Sequence, residues 1–293
     1  MRSLLEEYTN YLINVKKVSD NTVAAYSRDL KKMTDYMAES GVSEVKGISE
    51  DRLNSYIKML MDSGHSDTSV KRNMTSIKSF FKFLIDNGDL EDNPSENLKC
   101  PRVKKTPPRI LEVDEIDGLL SQKFSDDAKG KRDRAILELL YATGLKVSEI
   151  IGLTLSNVDM SISCLRLNGK RLIPYGAKAK EALNEYFLNG RNFYLSQRDG
   201  DSDLVFFNYN GEPMSRQGLW KLIKSYVKKS GMDKDITVSS IRHSFAKHML
   251  ENGADASSLQ EMMGYNCTHT ITRYMDKEQK IKDPYYKSRL RNV

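Results

Sequence analysis

Lys99-Cys100-Pro101-Arg102-Val103-Lys104-Lys105-Thr106-Pro107-Pro108-Arg109 is the stretch on which the reading of the fold turns. Its prolines, with Asn93-Pro94 just upstream, remove backbone donors and push the residues before them away from helical angles. No helix can therefore run through residues 91–109, which read as a linker between two folding units, residues 1–90 and 110–293. A length of 293 residues agrees, since about 150 residues per domain suggests two cores. The linker also carries Lys99, Arg102, Lys104, Lys105 and Arg109 with no acid from Lys99 onward, a composition suited to lying along a polyanion.

Upstream of the linker the pattern is helical throughout. Leu4, Leu5, Tyr8, Tyr11, Leu12 and Val15 recur at three-and-four spacing over residues 3–18, and Val23, Tyr26, Leu30, Met33 and Met37 do so over 21–39, with Ser19 as N-cap. Two more helices are expected over 49–62 and 67–85, making a small bundle. Beyond residue 110 the pattern is mixed. Helices are expected over 114–122, 127–142, 147–153, 177–188, 215–229, 240–252 and 256–263. A hairpin over 164–174 turns at Asn168-Gly169, residues that tolerate positive φ, and a further short strand is expected over 204–207. The expected fold is mainly α with a small β-sheet: an N-terminal helical bundle followed by a mixed α/β domain.

Composition narrows the function. The net charge of +6, with 29% charged and 39% hydrophobic residues, describes a mildly basic globular chain that permits a polyanionic partner. No stretch approaches the roughly 18 apolar residues of a membrane span, and Glu6 and Glu7 interrupt any signal-peptide pattern, so a cytoplasmic protein without a membrane partner is expected. Cys100, Cys164 and Cys267 are far apart and form no C-x-x-C, which points to reduced thiols and no zinc site. The phosphate-binding loop, the dinucleotide fingerprint, H-E-x-x-H and G-x-S-x-G are all missing. His243 and His248 are five apart and do not share a helix face, so they read as structural rather than as metal ligands.

Several segments, taken together and in order, resemble the tyrosine recombinase (phage integrase) family, especially its Xer-like branch, over nearly the whole chain. Tyr141-Ala142-Thr143-Gly144-Leu145-Lys146-Val147-Ser148-Glu149-Ile150 is similar to the segment of the family's first catalytic arginine. Ile241-Arg242-His243-Ser244-Phe245-Ala246, followed by Leu250-Glu251-Asn252-Gly253-Ala254-Asp255, is similar to the second-arginine segment. Leu259 to Gly264 and then Thr270-Ile271-Thr272-Arg273-Tyr274 resemble the stretch that ends at the nucleophilic tyrosine.

The resemblance implies cleavage of DNA by a tyrosine hydroxyl, giving a 3′-phosphotyrosyl link and a free 5′-hydroxyl. Bond energy is kept, so no cofactor and no metal is expected. A phosphorane-like transition state gathers negative charge that guanidinium forks neutralise, a lysine can protonate the leaving oxygen, and a phenol of free pKa near 10 needs activation. On this likeness Tyr274 stands at the nucleophile, Arg242 at the second arginine, and Lys146 at the first, where it keeps the charge but lacks the planar fork. Ser239 replaces the histidine of His-x-x-Arg, Tyr265 replaces the histidine or tryptophan before the nucleophile, and Lys170 is the nearest candidate for the hairpin lysine.

The likeness further implies duplex DNA held between the two domains, touched by Lys71, Arg72, Lys78 and Lys82 of the fourth helix and by Arg102, Lys104 and Lys105 of the linker. It also implies a homo-tetramer on two duplexes and leaves room for an accessory or partner recombinase. The tail, with Ile281, Tyr285, Tyr286 and Leu290, packs on this reading either against a neighbouring protomer or on its own domain. Losing one transition-state donor typically costs about 10²–10³ in rate. The changes at Lys146, Ser239 and Tyr265 thus keep a second reading open, a decayed homologue that binds DNA or a partner without cutting.

Overall fold

Ser19, Ser49 and Ser66 each accept a hydrogen bond from the amide three residues on, and these caps start three of the four helices of the N-terminal unit. The computed structural model describes residues 1–99, 109–232 and 235–265, together with Ile271 and Tyr274. The chain divides into two compact units, residues 1–106 and 107–293. In the first, α1 (Arg2–Asn14), α2 (Asp20–Glu39), α3 (Glu50–Asp62) and α4 (Asp67–Asp86) bury Tyr8, Leu30, Met33, Leu53, Tyr56, Phe80 and Phe81 in one core. Helix α1 stops sooner than the apolar spacing suggests. Lys17 adopts φ 49°, which ends a helix, and Val15 is left exposed.

Helix α4 sorts its basic residues by angle. Lys71, Lys78 and Lys82, at spacings of seven and four, share one stripe; Arg72 lies about 100° around the axis. The Arg72 guanidinium donates from Nε and Nη2 to the two carboxylate oxygens of Asp29, both at 2.8 Å, and Asp29 is buried. Arg72, expected among the DNA contacts, is thereby tied into a joint between α2 and α4. Lys71 and Lys82 are exposed, and the Lys78 ammonium donates to the Glu96 carbonyl at 3.0 Å. Arg102, Lys104 and Lys105 of the linker lie outside the described residues.

The second unit is organised around α6 (Ala128–Thr143), which is buried on nearly every side and packs on α8 (Ala177–Asn189). The other helices are α5 (Val113–Leu120), α7 (Val147–Ile151), α9 (Arg191–Leu195), α10 (Arg216–Lys229), α11 (Val238–Glu251) and α12 (Ala256–Met263). A three-stranded antiparallel sheet runs β1 (Val158–Asp159), β2 (Cys164–Leu167), β3 (Arg171–Pro174), with Leu165 opposite Ile173 and Leu167 opposite Arg171. Asn168 and Gly169 both take positive φ in the β2–β3 turn, as their pairing predicts. The mainly helical chain with one small sheet is the architecture the sequence implies.

Two departures have local causes. Residues 204–207 form no strand, only isolated bridges from Leu204 to Thr154 and from Phe207 to Pro213. Side chains satisfy their backbone instead: Arg191 donates to the Leu204 carbonyl, Tyr186 to that of Val205 and Arg132 to that of Phe207. The apolar run is buried, but its carbonyls need no ladder. Strand β1 and helix α9 are additional, and at two and five residues they are too short to show a period.

Among the described residues no helix is long and apolar enough to cross a membrane. Cys164 is a free thiol, while Cys100 and Cys267 lie outside the described residues. Because Arg72 neutralises a buried carboxylate, Arg72→Ala should lower stability by about 1–3 kcal/mol. Lys71→Ala should stay within roughly 0.5 kcal/mol of the parent. Urea unfolding of the full chain reads both.

Candidate active site

Two helix stops build this region. Helix α6 ends at Gly144, in the left-handed region at φ 59°, where a Cβ would lie 2.5 Å from the Phe245 ring. Only glycine fits there, and the reversal places Lys146 at the start of α7. Helix α12 ends likewise at Gly264, φ 61°, where a Cβ would lie 2.1 Å from Nη1 of Arg171. The backbone of this second turn presents two successive carbonyls. Nη2 of Arg242, from α11, donates to the carbonyl of Met263, and Nζ of Lys146 donates to that of Gly264 at 3.2 Å.

The structure thus brings Lys146 and Arg242 onto one turn although 96 positions separate them in the chain. Arg242 is buried; its Nη1 donates to the Gly144 carbonyl and its Nε to the Tyr265 hydroxyl at 3.2 Å, with the guanidinium carbon 4.7 Å from the centre of that ring. Tyr265 therefore joins the cluster through both its hydroxyl and its π face. Tyr274 joins from the other side. Its hydroxyl is hydrogen-bonded to Nδ1 of His243, the residue after Arg242, and its ring is buried against Phe245, Leu259 and Met263.

Lys170 and Ser239 are not drawn in. Lys170 stands exposed on the β2–β3 turn, where its ammonium has no hydrogen-bond or ion-pair partner among the described residues. Ser239 is exposed in the first turn of α11, whose cap is formed by Thr237 with Ser240.

Three residues that the sequence reading gave no site role occupy the site. His243 binds the Tyr274 hydroxyl, whereas spacing had placed it among structural histidines; that description suits His248, buried with Nδ1 3.0 Å from the Tyr141 hydroxyl. Glu149 accepts the Lys146 amide at 2.8 Å on Oε2 and the Arg171 Nη1 at 2.9 Å on Oε1. Burial pushes the Glu149 carboxyl up, but the hydrogen bonds from Arg171 and from the Lys146 amide outweigh it and hold the group below the usual range. Arg171 itself opens β3 and is nine-tenths buried. The only sequence signal for Glu149 was its place three residues after Lys146; Arg171 had none beyond following Lys170.

A separate basic face lies on α10. Arg216, Trp220, Lys221 and Lys228 are exposed, and the Lys224 ammonium, paired with Asp235, sits 5.6 Å from the centre of the Trp220 ring. No acidic residue occurs in this helix.

Comparison with known proteins shows the family. Residues 109–280 match the phage integrase family, and residues 5–88 match the N-terminal SAM-like domain of phage integrases. The chain belongs to the phage integrase family. It is 36% identical over 275 residues to tyrosine recombinase XerD of Halalkalibacterium halodurans, covering 92% of this chain and 91% of that protein. It is 37% identical over 278 residues to tyrosine recombinase XerD of Staphylococcus epidermidis, covering 94% of each. Among solved structures the fold matches the Tn1549 transposon integrase in complex with circular intermediate DNA, with TM-score 0.71, 19% identity and coverage of 96% and 98%. It also matches a lambda integrase dimer bound to a COC′ core site, with TM-score 0.69, 16% identity and coverage of 94% and 95%.

The depressed Glu149 carboxyl fixes a pH dependence. Its folded pKa lies below the unfolded one, so its contribution is present above the unfolded value, near 4.3, and is lost as pH falls through the folded value. Glu149→Gln should lower stability at neutral pH by about 1–3 kcal/mol and flatten the acid limb of the stability curve. Denaturant unfolding across the acid range measures this; an unchanged acid limb would count against the Arg171–Glu149 link.

Proposed function

We propose that this chain is a site-specific DNA recombinase that cleaves through a 3′-phosphotyrosyl intermediate at Tyr274. The observation that carries the reading is the convergence of Lys146 and Arg242 on adjacent carbonyls of one turn, while the residue beside Arg242 holds the Tyr274 hydroxyl. In the proposed step the Tyr274 oxygen bonds to phosphorus as the bond from phosphorus to the 5′-oxygen breaks. The phenolic proton passes to Nδ1 of His243, and the leaving 5′-oxygen takes a proton from Lys170, whose ammonium has no competing partner among the described residues. Arg242 and Lys146 face the non-bridging oxygens. One phosphodiester replaces another, so the reverse attack by a partner 5′-hydroxyl completes strand exchange without a cofactor.

Exposed Lys71 and Lys82, together with Lys78, the linker cations and the α10 face, supply phosphate contacts that set position and salt dependence. Tyr265 takes over part of the missing imidazole's role by orienting Arg242, while Ser239 offers a hydroxyl for a phosphate oxygen. We place a tetramer on two duplexes as the working assembly. The tail residues Ile281, Tyr285, Tyr286 and Leu290, which lie outside the described residues, are its proposed contact, with packing on their own domain as the other reading, and a partner recombinase is an alternative occupant of the neighbouring position. Lys146 in place of arginine makes cleavage slow rather than absent, because charge is retained and only the second hydrogen bond is lost.

The test uses nicked suicide duplexes carrying sequences selected from a randomised pool by binding to the full chain. A denaturant-resistant protein–DNA adduct is expected, absent in Tyr274→Phe, and Lys146→Arg should raise its rate by about tenfold or more. A bound duplex that yields no adduct would replace this reading with that of a DNA-binding homologue.

A further inference from the structure

The cations of the site outnumber their acids. Lys146, Arg171 and Arg242 are brought together around the α12 turn, and among the described residues Glu149 is the one carboxylate that touches any of them. Arg242 is met by two carbonyls and a hydroxyl. Arg171 is not fully met: Nη1 binds Glu149, while Nε and Nη2 are buried and have no hydrogen-bond partner among the described residues. A guanidinium that is nine-tenths buried with two donors unused is an expensive arrangement for a purely structural residue. A carbonyl or hydroxyl would satisfy it if packing were its only task.

Its place supplies the reason. Nη1 of Arg171 lies against the α-carbon of Gly264, whose carbonyl receives Lys146 Nζ, and the same Glu149 that holds Nη1 also accepts the Lys146 amide. Lys146 offers a point charge where a planar fork would match two phosphate oxygens. A planar fork whose other edge is unpaired among the described residues stands beside it, on strand β3.

We propose that Arg171 supplies the guanidinium fork that Lys146 lacks, its Nε and Nη2 edge taking a non-bridging oxygen of the scissile phosphate while Nη1 stays on Glu149. This rests on the recombinase reading above. The edge is shut from water, and the Gly264 turn that Arg171 packs against leads along the chain to Tyr274. Binding of the duplex must therefore open that edge for the proposed contact to form. Lys146 and Arg171 then act as two halves of one phosphate clamp, so an arginine restored at position 146 makes the fork at 171 partly redundant.

Single-turnover cleavage of the selected suicide duplex by the full chain decides this, with duplex affinity by gel shift and unfolding midpoints measured alongside. Arg171→Lys keeps the charge and the reach to Glu149 but removes the fork; both it and Arg171→Gln should slow cleavage by about 10²–10³ with duplex affinity nearly unchanged. Adding Lys146→Arg to Arg171→Gln should recover about tenfold or more of that loss, a coupling that independent sites do not show. Arg171→Lys cleaving at the parent rate overturns the proposal, as does a double variant no faster than Arg171→Gln, or a loss that only follows falling unfolding midpoints. A parent chain that forms no Tyr274-dependent adduct, even with Lys146→Arg, overturns the recombinase reading and this one together. An adduct from the parent with unaffected Arg171 variants removes this one alone.

Discussion

Like charges must be held together in this molecule, and that constraint shapes everything around the site. Lys146 and Arg171 both reach the same oxygen of Glu149, at 3.8 and 2.9 Å, so they stand no more than about 7 Å apart. At an effective dielectric near 20 their repulsion is on the order of 2–3 kcal/mol, and Glu149 offsets it only by sitting between them. Arg242 adds a third charge, neutralised by no carboxylate among the described residues and held by backbone carbonyls at the C-terminal ends of two helices, α6 and α12. Helix C-termini carry partial negative charge, which is why two helices stop here.

The two stops make that possible. Gly144 and Gly264 adopt backbone angles that other residues take reluctantly, and each lies so close to a neighbouring ring or guanidinium that a Cβ would clash. Their carbonyls are thereby turned inward to meet cations from α7 and α11. Donors held in this way are oriented in advance, which is the physical content of electrostatic preorganisation. The Tyr274 hydroxyl is hydrogen-bonded to His243, and the Tyr274 ring is buried.

Much of the architecture was legible in advance because it rests on local rules. The three-and-four spacing of Leu30, Met33 and Met37, the serine caps and the Asn168-Gly169 turn each act over a few residues, and each recurs in the fold. The strand expected over 204–207 did not form because its carbonyls were claimed by Arg132, Tyr186 and Arg191, partners up to 75 residues away. The Arg72 ion pair went unseen for the same reason: nothing nearby in sequence announces Asp29, 43 positions upstream.

The candidate site divides along the same line. Sequence alone marked the segments proposed to carry chemistry, since the motifs around Lys146, Arg242 and Tyr274 are continuous runs whose residue types and order are visible in one dimension. Tertiary structure alone decided who meets whom: that Tyr265 cradles Arg242, that His243 holds Tyr274, and that Arg171, a strand residue beside an exposed turn, faces inward to Glu149. Periodicity reports which side of an element is buried. It carries no record of the distant group waiting there, because that pairing is fixed by chain closure and packing rather than by neighbours in sequence.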